Sequence, residues 1–337
     1  MSVLSNWKEV LNTANLSSEK VMDPVSKWLI ITRAAVFSMT VMSGLIGGLL
    51  AITEVEKPDW LNFALAITGL VLAHAANNMT NDYFDLEGGV DNDEYARALY
   101  APHPILSGLV SKRGLLTAIL MVNLIDAGMM ILLTLRTGWP VLLFAALGLF
   151  ISVFYVAPPI KLKHHGLGEP SVFLVWGPLM IGGTYYVTSG QTPPLGVWLA
   201  TLPYAILVTT VLIGKHIDKL EADQAKGINT LPVLLGERTS LWLNIAIMAI
   251  YYLLIIVLVV TGDLGIWSLL ILLALPRLVQ VIKIYREPKP VQPPQGYPVW
   301  PLWFVSAAFY HNRLAGGLFV LGLILNLVIP LVTNGLR

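Results

Sequence analysis

The sequence contains no cysteine, which excludes disulfide bonds, thiolate metal ligands and a cysteine nucleophile. Charge is also scarce, since 12% of the 337 residues are Asp, Glu, Lys or Arg, against about 25% in soluble proteins. The formal net charge of +1 provides no basic field that would attract nucleic acid. Apolar residues make up 56% of the chain, and the mean hydropathy is +0.72. This composition predicts an all-α, polytopic membrane protein.

The N-terminal residues lack the apolar stretch of a cleavable signal peptide. Lys8, Glu9, Glu19 and Lys20 are interspersed with apolar residues, which predicts a short amphipathic helix on the membrane surface. We therefore expect an N-terminal interfacial segment, 1–27, followed by a single transmembrane domain, 28–337.

Apolar runs of about 20 residues, the length of a membrane-spanning helix, recur along the chain. A shorter run, Trp300–Tyr310, is expected to be interfacial or re-entrant, and the proline-rich stretch before it is expected to be a loop. Together they form a predicted cytoplasmic loop and interfacial segment at 287–313. The longer runs predict about nine spanning helices, near Trp28–Thr53, Trp60–Thr80, Leu115–Leu135, Trp139–Ala157, Ser171–Thr188, Leu195–Ile213, Leu241–Val260, Leu264–Ile284 and Leu314–Val332.

Most of the 21 Lys and Arg residues fall in alternate connections, on the side that also holds the N-terminus. Positive charge marks the cytoplasmic side, so we expect an integral protein of the cell inner membrane with a cytoplasmic N-terminus. Acidic residues, including Asp91, Asp93 and Glu94, cluster on the same side, although acids contribute little to orientation. Their position therefore needs a chemical explanation.

The first acidic cluster ends the second apolar run. Asn78, Asp82 and Asp85 lie at i, i+4 and i+7 and share one helix face, and Asn81 precedes Asp85 by one turn. Carboxylates and amides on one face of a membrane helix are costly unless a cation binds there. Their oxygens are the ligands that Mg²⁺ prefers, and Mg²⁺ completes its shell with water and substrate phosphates. The pattern therefore predicts a site for Mg²⁺ and a diphosphate.

A second acidic cluster follows the sixth apolar run, with Asp218 and Glu221 on one helix face and Asp223 slightly off it. Two acidic helix ends on one side of the membrane can together hold Mg²⁺ ions against a diphosphate. The alternative, solvated loop charges, fits the first cluster less well because it lies in or beside an apolar segment. The candidates to bind outer phosphate oxygens as point charges are Lys161, Lys163, Lys215 and Lys226.

These residues resemble the UbiA-type intramembrane prenyltransferases, whose members share a nine-helix transmembrane bundle. The family's Asn-Asp-x-x-Asp motif is present at 81–85, and the Gly-x-x-Thr-Leu segment after its second acidic motif is present at 227–231. A Tyr-x-x-x-Pro stretch with following lysines lies between them at 155–163. Within the family, 82–91 and 166–187 resemble the menaquinone branch, which attaches a polyprenyl chain to 1,4-dihydroxy-2-naphthoate.

The resemblance implies a Mg²⁺-dependent transfer from an allylic polyprenyl diphosphate to an aromatic acceptor within the lipid bilayer. The implied metal ligands are Asp82, Asp85, Asp218, Glu221 and Asp223. The residues implied to act in catalysis are Asp82, Asp85, Asp223 and Tyr155, the last as an aromatic group that stabilises the allylic cation. The substrate-binding candidates are Asn78, Asn81, Lys161, Lys163, Lys215, Lys226 and Tyr185.

The chain departs from the family pattern in three places. His103-Pro104 stands where the family often has Arg-Pro, and the proline-rich loop with Trp300–Tyr310 is longer than expected between the last two helices. In addition, Lys219 stands where the second motif usually has its earlier aspartate. Either Asp218 takes over or one metal site is weakened. The alternatives are prenyl transfer to a hydroxybenzoate, homogentisate or tetrapyrrole, a cation transporter, and a non-catalytic subunit that kept the fold. The sequence leaves the oligomeric state open.

Two polar residues lie deeper in the apolar runs. Asp126 is mid-helix, where a carboxylate is expensive, and we expect it to pair with Arg33 or Arg277; a role in protonating the acceptor is the alternative. His74 precedes Asn78 by one turn and either supports it or packs as an ordinary helix histidine.

Overall fold

A computed structural model describes residues 3–92 and 99–329, so the predicted acidic residues Asp93 and Glu94 lie outside the described residues. The described chain is helical and contains no β-strand, apart from an isolated bridge between His165 and Asn229. Seven of its helices are long and apolar enough to cross a membrane. The predicted all-α membrane fold is therefore confirmed.

The helices are numbered in chain order. Their bounds are α1 Val3–Thr13, α2 Pro24–Ile31, α3 Phe37–Glu54, α4 Trp60–Glu87, α5 Lys112–Thr137, α6 Pro140–Phe154, α7 Gly168–Leu174, α8 Met180–Ser189, α9 Leu195–Asp218, α10 Leu220–Ala225, α11 Leu231–Leu235, α12 Glu237–Val260, α13 Leu275–Arg286 and α14 Phe304–Val328.

Two of the predicted spans are not among the seven long helices. Helix α6 has 15 residues, and α7 and α8 are joined by a π-helical turn at Val175–Leu179. Pro178 lies inside this turn, where it has no N–H to donate to the helix ladder. The predicted count of about nine spans therefore stays a prediction.

The first predicted span is interrupted near its start. Helix α2 ends at Ile31, and Arg33 adopts the left-handed conformation with a φ of 56° before α3 begins at Phe37. A guanidinium on a continuous apolar helix would face lipid at a high cost. The break instead directs Arg33 to the carboxylate of Asp82, which is fully buried.

The last helix begins earlier than predicted. The proline-rich stretch at 288–298 is a loop as expected, but α14 starts at Phe304, so the predicted start at Leu314 is wrong. The carboxylate of Asp218 accepts hydrogen bonds from the backbone N–H groups of Phe304, at 3.1 Å, and Val305, at 2.9 Å. This cap comes from another helix, so the local sequence does not reveal it.

The N-terminal segment folds as a helix, α1, and then returns to the bundle. The indole of Trp7 donates to Asp23 at 3.0 Å, and Asp23 caps the start of α2. Val10 and Ile30 pack together in a small apolar cluster. Its location at the membrane surface stays a prediction.

The main core lies between α3, α9, α12 and α14, where Ile46, Leu207, Met248 and Phe319 are fully buried. Helix α5, by contrast, buries only Leu115 and Leu133 within the described chain. The bundle is therefore tightly packed on one side and open on the side of α5 and α6. A cavity of about 410 Å³ lies on this side of the bundle.

Candidate active site

The first acidic cluster lies at the end of α4 and in the turn that follows it. The helix ends at Glu87, and Gly89 has a φ of 70°, which lets the chain reverse. The backbone N–H of Asp91 donates to the carbonyl of Asp85 at 3.0 Å, so this residue folds back on the helix end. Asp82, Asp91 and His103 thereby place one ligand atom each within 4.8 Å of one another.

A basic side chain faces each of the predicted catalytic carboxylates. Both members of these pairs are largely buried, with side-chain exposures of 14% or less. Buried carboxylates are stable as anions when a cation and hydrogen bonds compensate them. The pairs are Arg33 with Asp82, Lys163 Nζ with Asp85 Oδ2 at 2.8 Å, and Lys219 Nζ with Asp223 Oδ1 at 3.3 Å.

Loop contacts bring the two acidic clusters to the same place. The carbonyl of His164 accepts a hydrogen bond from the N–H of Asn229 at 3.2 Å, which joins the loop after α6 to the segment after the second motif. Lys163, in that loop, reaches across to Asp85. Burial and, to a smaller extent, the positive charge of Lys163 lower the pKa of His164 to about 4. Burial also lowers the pKa of Lys219, although Asp223 opposes the shift.

Between these side chains lies a small polar pocket of about 30 Å³. It adjoins a much larger cavity of about 410 Å³, and the two share part of their walls. The residues that line both are Arg33, Asn81, Tyr100, Tyr155 and Lys215. The small pocket is also lined by Asp85, Asp91, Lys163, His216 and Lys219.

The larger cavity is apolar along most of its length. It runs between α4, α5, α6 and α8, and side chains such as Leu70, Met130, Phe144 and Met180 line it. His74 also lines it and packs as an ordinary helix histidine, with Nδ1 2.7 Å from the Thr40 hydroxyl. The cavity therefore combines a polar end at the acidic clusters with an apolar body inside the bundle.

The prediction that Asp126 pairs with Arg33 or Arg277 is wrong. Arg33 is engaged by Asp82, while Arg277 donates to Gln280 at 2.9 Å. Within the described ranges Asp126 makes no ion pair and no side-chain hydrogen bond, and it lines the larger cavity beside Gly69. Sequence spacing could not decide this pairing, because Arg33 lies on a separate turn.

Several predicted site residues lie away from the pockets. Asp218 is turned toward α14, where its carboxylate caps the helix and lies 3.2 Å from Lys289 Nζ, so its position does not support a metal-binding role. Tyr185 is buried in the main core and lines neither cavity. Lys161 and the exposed Glu221 also line neither cavity, and the exposed Lys226 donates to the Gly89 carbonyl at 2.9 Å. Asp82 and Asp223 are not on the cavity walls either, but they pair with Arg33 and Lys219, which line the small pocket.

We expect Asp218→Ala to lower stability by about 1–3 kcal/mol, because it removes a helix cap and leaves Lys289 without this carboxylate. A lower melting temperature of the detergent-solubilised protein would show this. Glu221→Ala, an exposed acid of the same motif, is the matched control and should melt like the wild type. Equal melting of the two variants would contradict the structural role of Asp218.

Sequence reasoning missed several residues of the site. Arg33 could have been recognised as a candidate because it is a lone arginine in an apolar run. The backbone turn that directs it to Asp82 is not visible in the sequence. Asp91 stands out in the sequence only as part of an acidic cluster, and His103 only as the residue before Pro104 where the family often has arginine. His216 Nδ1 lies 2.7 Å from Glu169 Oε1 in a buried pair on the wall of the small pocket.

The residues at the polar end fit a hard cation. Carboxylates and amides converge there, and Mg²⁺ prefers oxygen ligands of this type. Asn81 Oδ1 is buried at the wall of both cavities and has no hydrogen-bond partner among the described residues. A buried amide oxygen with this environment requires a partner, and a bound cation or its water shell would provide one.

The chain belongs to the UbiA prenyltransferase family, whose model it matches over residues 40–312. It is therefore an integral membrane prenyltransferase, and the motifs at 81–85 and 227–231 fall within the matched region.

Among its relatives, the chain is 25% identical over 258 residues to the Bacillus subtilis protein named 1,4-dihydroxy-2-naphthoate octaprenyltransferase, covering 75% of this chain and 80% of the relative. Its fold is similar to the apo structure of a UbiA homolog from Aeropyrum pernix, with a TM-score of 0.65, 20% identity and coverage of 86% and 98%. A UbiA homolog from Archaeoglobus fulgidus, described as bound to GPP and Mg²⁺, matches with a TM-score of 0.58, 14% identity and coverage of 88% and 99%.

Proposed function

We propose that the protein transfers a polyprenyl group from an allylic diphosphate to 1,4-dihydroxy-2-naphthoate in a Mg²⁺-dependent reaction. The observation that carries this proposal is the small polar pocket that adjoins an apolar cavity of about 410 Å³. A diphosphate matches the charged end, and an isoprenoid tail matches the apolar body. The positive-inside pattern of the connections supports a site that faces the cytoplasm.

The first acidic cluster supplies the oxygen atoms for the cation. Asp82, Asp85, Asp91 and Asn81 would hold Mg²⁺. When bound, Mg²⁺ neutralises the diphosphate and makes it a better leaving group. The Mg²⁺ and GPP named for the Archaeoglobus fulgidus homolog support this assignment by analogy of fold.

The basic residues of the pocket bind the leaving group. Arg33, Lys163 and Lys215 line the small pocket, where their N–H groups can donate to phosphate oxygens. When the C–O bond of the donor breaks, its electron pair leaves with the diphosphate. These fixed positive charges therefore stabilise the charge that develops on the leaving group.

The allylic cation forms at the junction of the two cavities. Tyr155 lines both of them, so its ring can face the cation and stabilise it by a cation–π interaction. The apolar walls exclude water, which would otherwise capture the cation. An electron-rich carbon of the acceptor ring then attacks the cation and forms the new C–C bond, and loss of the acceptor's carboxylate as CO₂ restores the aromatic ring. No protein nucleophile takes part, in agreement with a chain that has no cysteine.

The acceptor is proposed from the name of the Bacillus subtilis relative and from the resemblance of 82–91 and 166–187 to the menaquinone branch. Purified protein in lipid vesicles should prenylate dihydroxynaphthoate when given octaprenyl diphosphate and Mg²⁺. Mass spectrometry of products formed with dihydroxynaphthoate, 4-hydroxybenzoate and homogentisate in competition tests the acceptor. A product from hydroxybenzoate but none from the naphthoate would refute this part of the proposal.

We expect chelation of divalent ions to reduce transfer by at least about 100-fold, because the diphosphate would then leave without charge neutralisation. The same vesicles are assayed with EDTA and then with excess Mg²⁺, which should restore the rate. Undiminished transfer in EDTA would contradict metal dependence. An absence of transfer to all three acceptors with Mg²⁺ present would favour a non-catalytic role.

A further inference from the structure

Lys219 occupies an unusual position for a lysine. It follows the last residue of α9, its side chain is 6% exposed, and it lines the small polar pocket. Its ammonium lies 3.3 Å from Asp223 Oδ1. A lysine is rarely buried to this extent unless it is paired, and here the pair sits inside the candidate substrate site.

The other acids of the second motif are turned away from the pocket. Asp218 caps α14 and contacts Lys289, and Glu221 is exposed outside both cavities. Asp223 is thus the one carboxylate of this motif, among the described residues, that is buried beside the pocket. The second motif thus offers one carboxylate near the pocket, whereas the first cluster brings together three, Asp82, Asp85 and Asp91.

The pocket wall carries more positive than negative groups. Arg33, Lys163, Lys215 and Lys219 line it, against the carboxylates of Asp85 and Asp91. Lys219 contacts Asp223 of the second motif and lines the same small pocket as Asp85 and Asp91 of the first. A cation in this position faces the same diphosphate that the first cluster would bind through Mg²⁺.

We propose that Lys219 replaces a divalent ion at the second acidic motif, with its ammonium held by Asp223 and donating directly to the donor's diphosphate. This inference rests on the proposed function. It assigns the divalent ions to the first cluster and gives the second cluster a fixed organic cation. The chain should therefore retain affinity for a diphosphate without metal, and it should bind fewer divalent ions than a variant with an aspartate at this position.

The first test measures binding of inorganic pyrophosphate to the full-length protein in detergent by calorimetry, in EDTA. We expect Lys219→Met to weaken binding by at least about tenfold, since a desolvated charge contact is lost. Lys219→Arg should retain most of the affinity. Lys57→Met is the matched control, because Lys57 is exposed in the connection between α3 and α4. Equal affinity of Lys219→Met and wild type would overturn the inference.

The second test counts bound metal. With pyrophosphate present, Lys219→Asp should bind more Mn²⁺ per chain than the wild type, as measured by electron paramagnetic resonance. An unchanged Mn²⁺ count would also overturn the inference. Melting temperatures identify variants that fail to fold, and the double variant Lys219→Met/Asp223→Asn removes both charges of the pair. This double variant should also bind pyrophosphate weakly in EDTA, and wild-type affinity in it would count against the inference.

The outcomes separate this inference from the proposed function. If the wild type binds no pyrophosphate even with Mn²⁺, the pocket is not a diphosphate site, and both the proposed function and the role of Lys219 are refuted. If the wild type binds pyrophosphate only with Mn²⁺, the proposed function stands and the role of Lys219 is refuted.

Discussion

Asp82→Asn is expected to lower kcat for prenyl transfer by at least about 100-fold. Loss of a residue that only hydrogen-bonds to a metal ligand typically costs about 10–100-fold in activity, and loss of the ligand itself should cost more. Asp82 is fully buried, pairs with Arg33 and lies within 4.8 Å, ligand atom to ligand atom, of Asp91 and His103. An amide at this position keeps the shape but removes the charge that holds the cation. Transfer rates in vesicles at saturating donor measure the effect.

Asp59→Asn is the matched control for this substitution. Asp59 caps the start of α4, at the other end of the same helix, and pairs with Arg136 at 2.7 Å. Asparagine caps helices about as well as aspartate, so stability and turnover should both be preserved. An Asp82→Asn protein that turns over like the Asp59→Asn protein would refute the metal role of Asp82.

Ala145→Trp is expected to reduce transfer from octaprenyl diphosphate by at least about tenfold while preserving transfer from geranyl diphosphate. Ala145 lines the apolar cavity on α6, and the helical rise places it about 15 Å from Tyr155 at the polar end. An indole there would block the path of a long tail but would leave room for a short one. The ratio of kcat/KM for the two donors is the measurement.

Ala146→Trp provides a close comparison, because the neighbouring residue is exposed and does not line the cavity. Its indole would face outward from the bundle, so both donors should react as in the wild type. If Ala145→Trp and Ala146→Trp lower the two rates equally, the apolar cavity does not hold the prenyl tail.

The sequence predicted the membrane fold, because an apolar run of spanning length identifies a helix without any knowledge of its neighbours. It also predicted that the first acidic motif is helical and shares one face, since the i, i+4, i+7 spacing is a local property. The motif resemblance to the UbiA family depended on residues that are close in sequence, and the match over residues 40–312 confirms it.

The tertiary structure decided which charges meet, because ion pairs between helices depend on backbone turns and helix packing. Arg33 pairs with Asp82 and not with Asp126 because a left-handed residue breaks the first apolar run. Asp218 resembles a metal ligand in the sequence, yet its carboxylate accepts hydrogen bonds from the backbone N–H groups at the start of α14.

The cavity could not be predicted from the sequence, because it forms between helices that are distant in sequence. It lies between α5 and α6, of which α5 buries few residues, and helices α4 and α8. Hydropathy determined that these segments are helices in a membrane. Only the packing of one helix against another determined that a charged pocket and an apolar cavity share the walls formed by Arg33 and Tyr155.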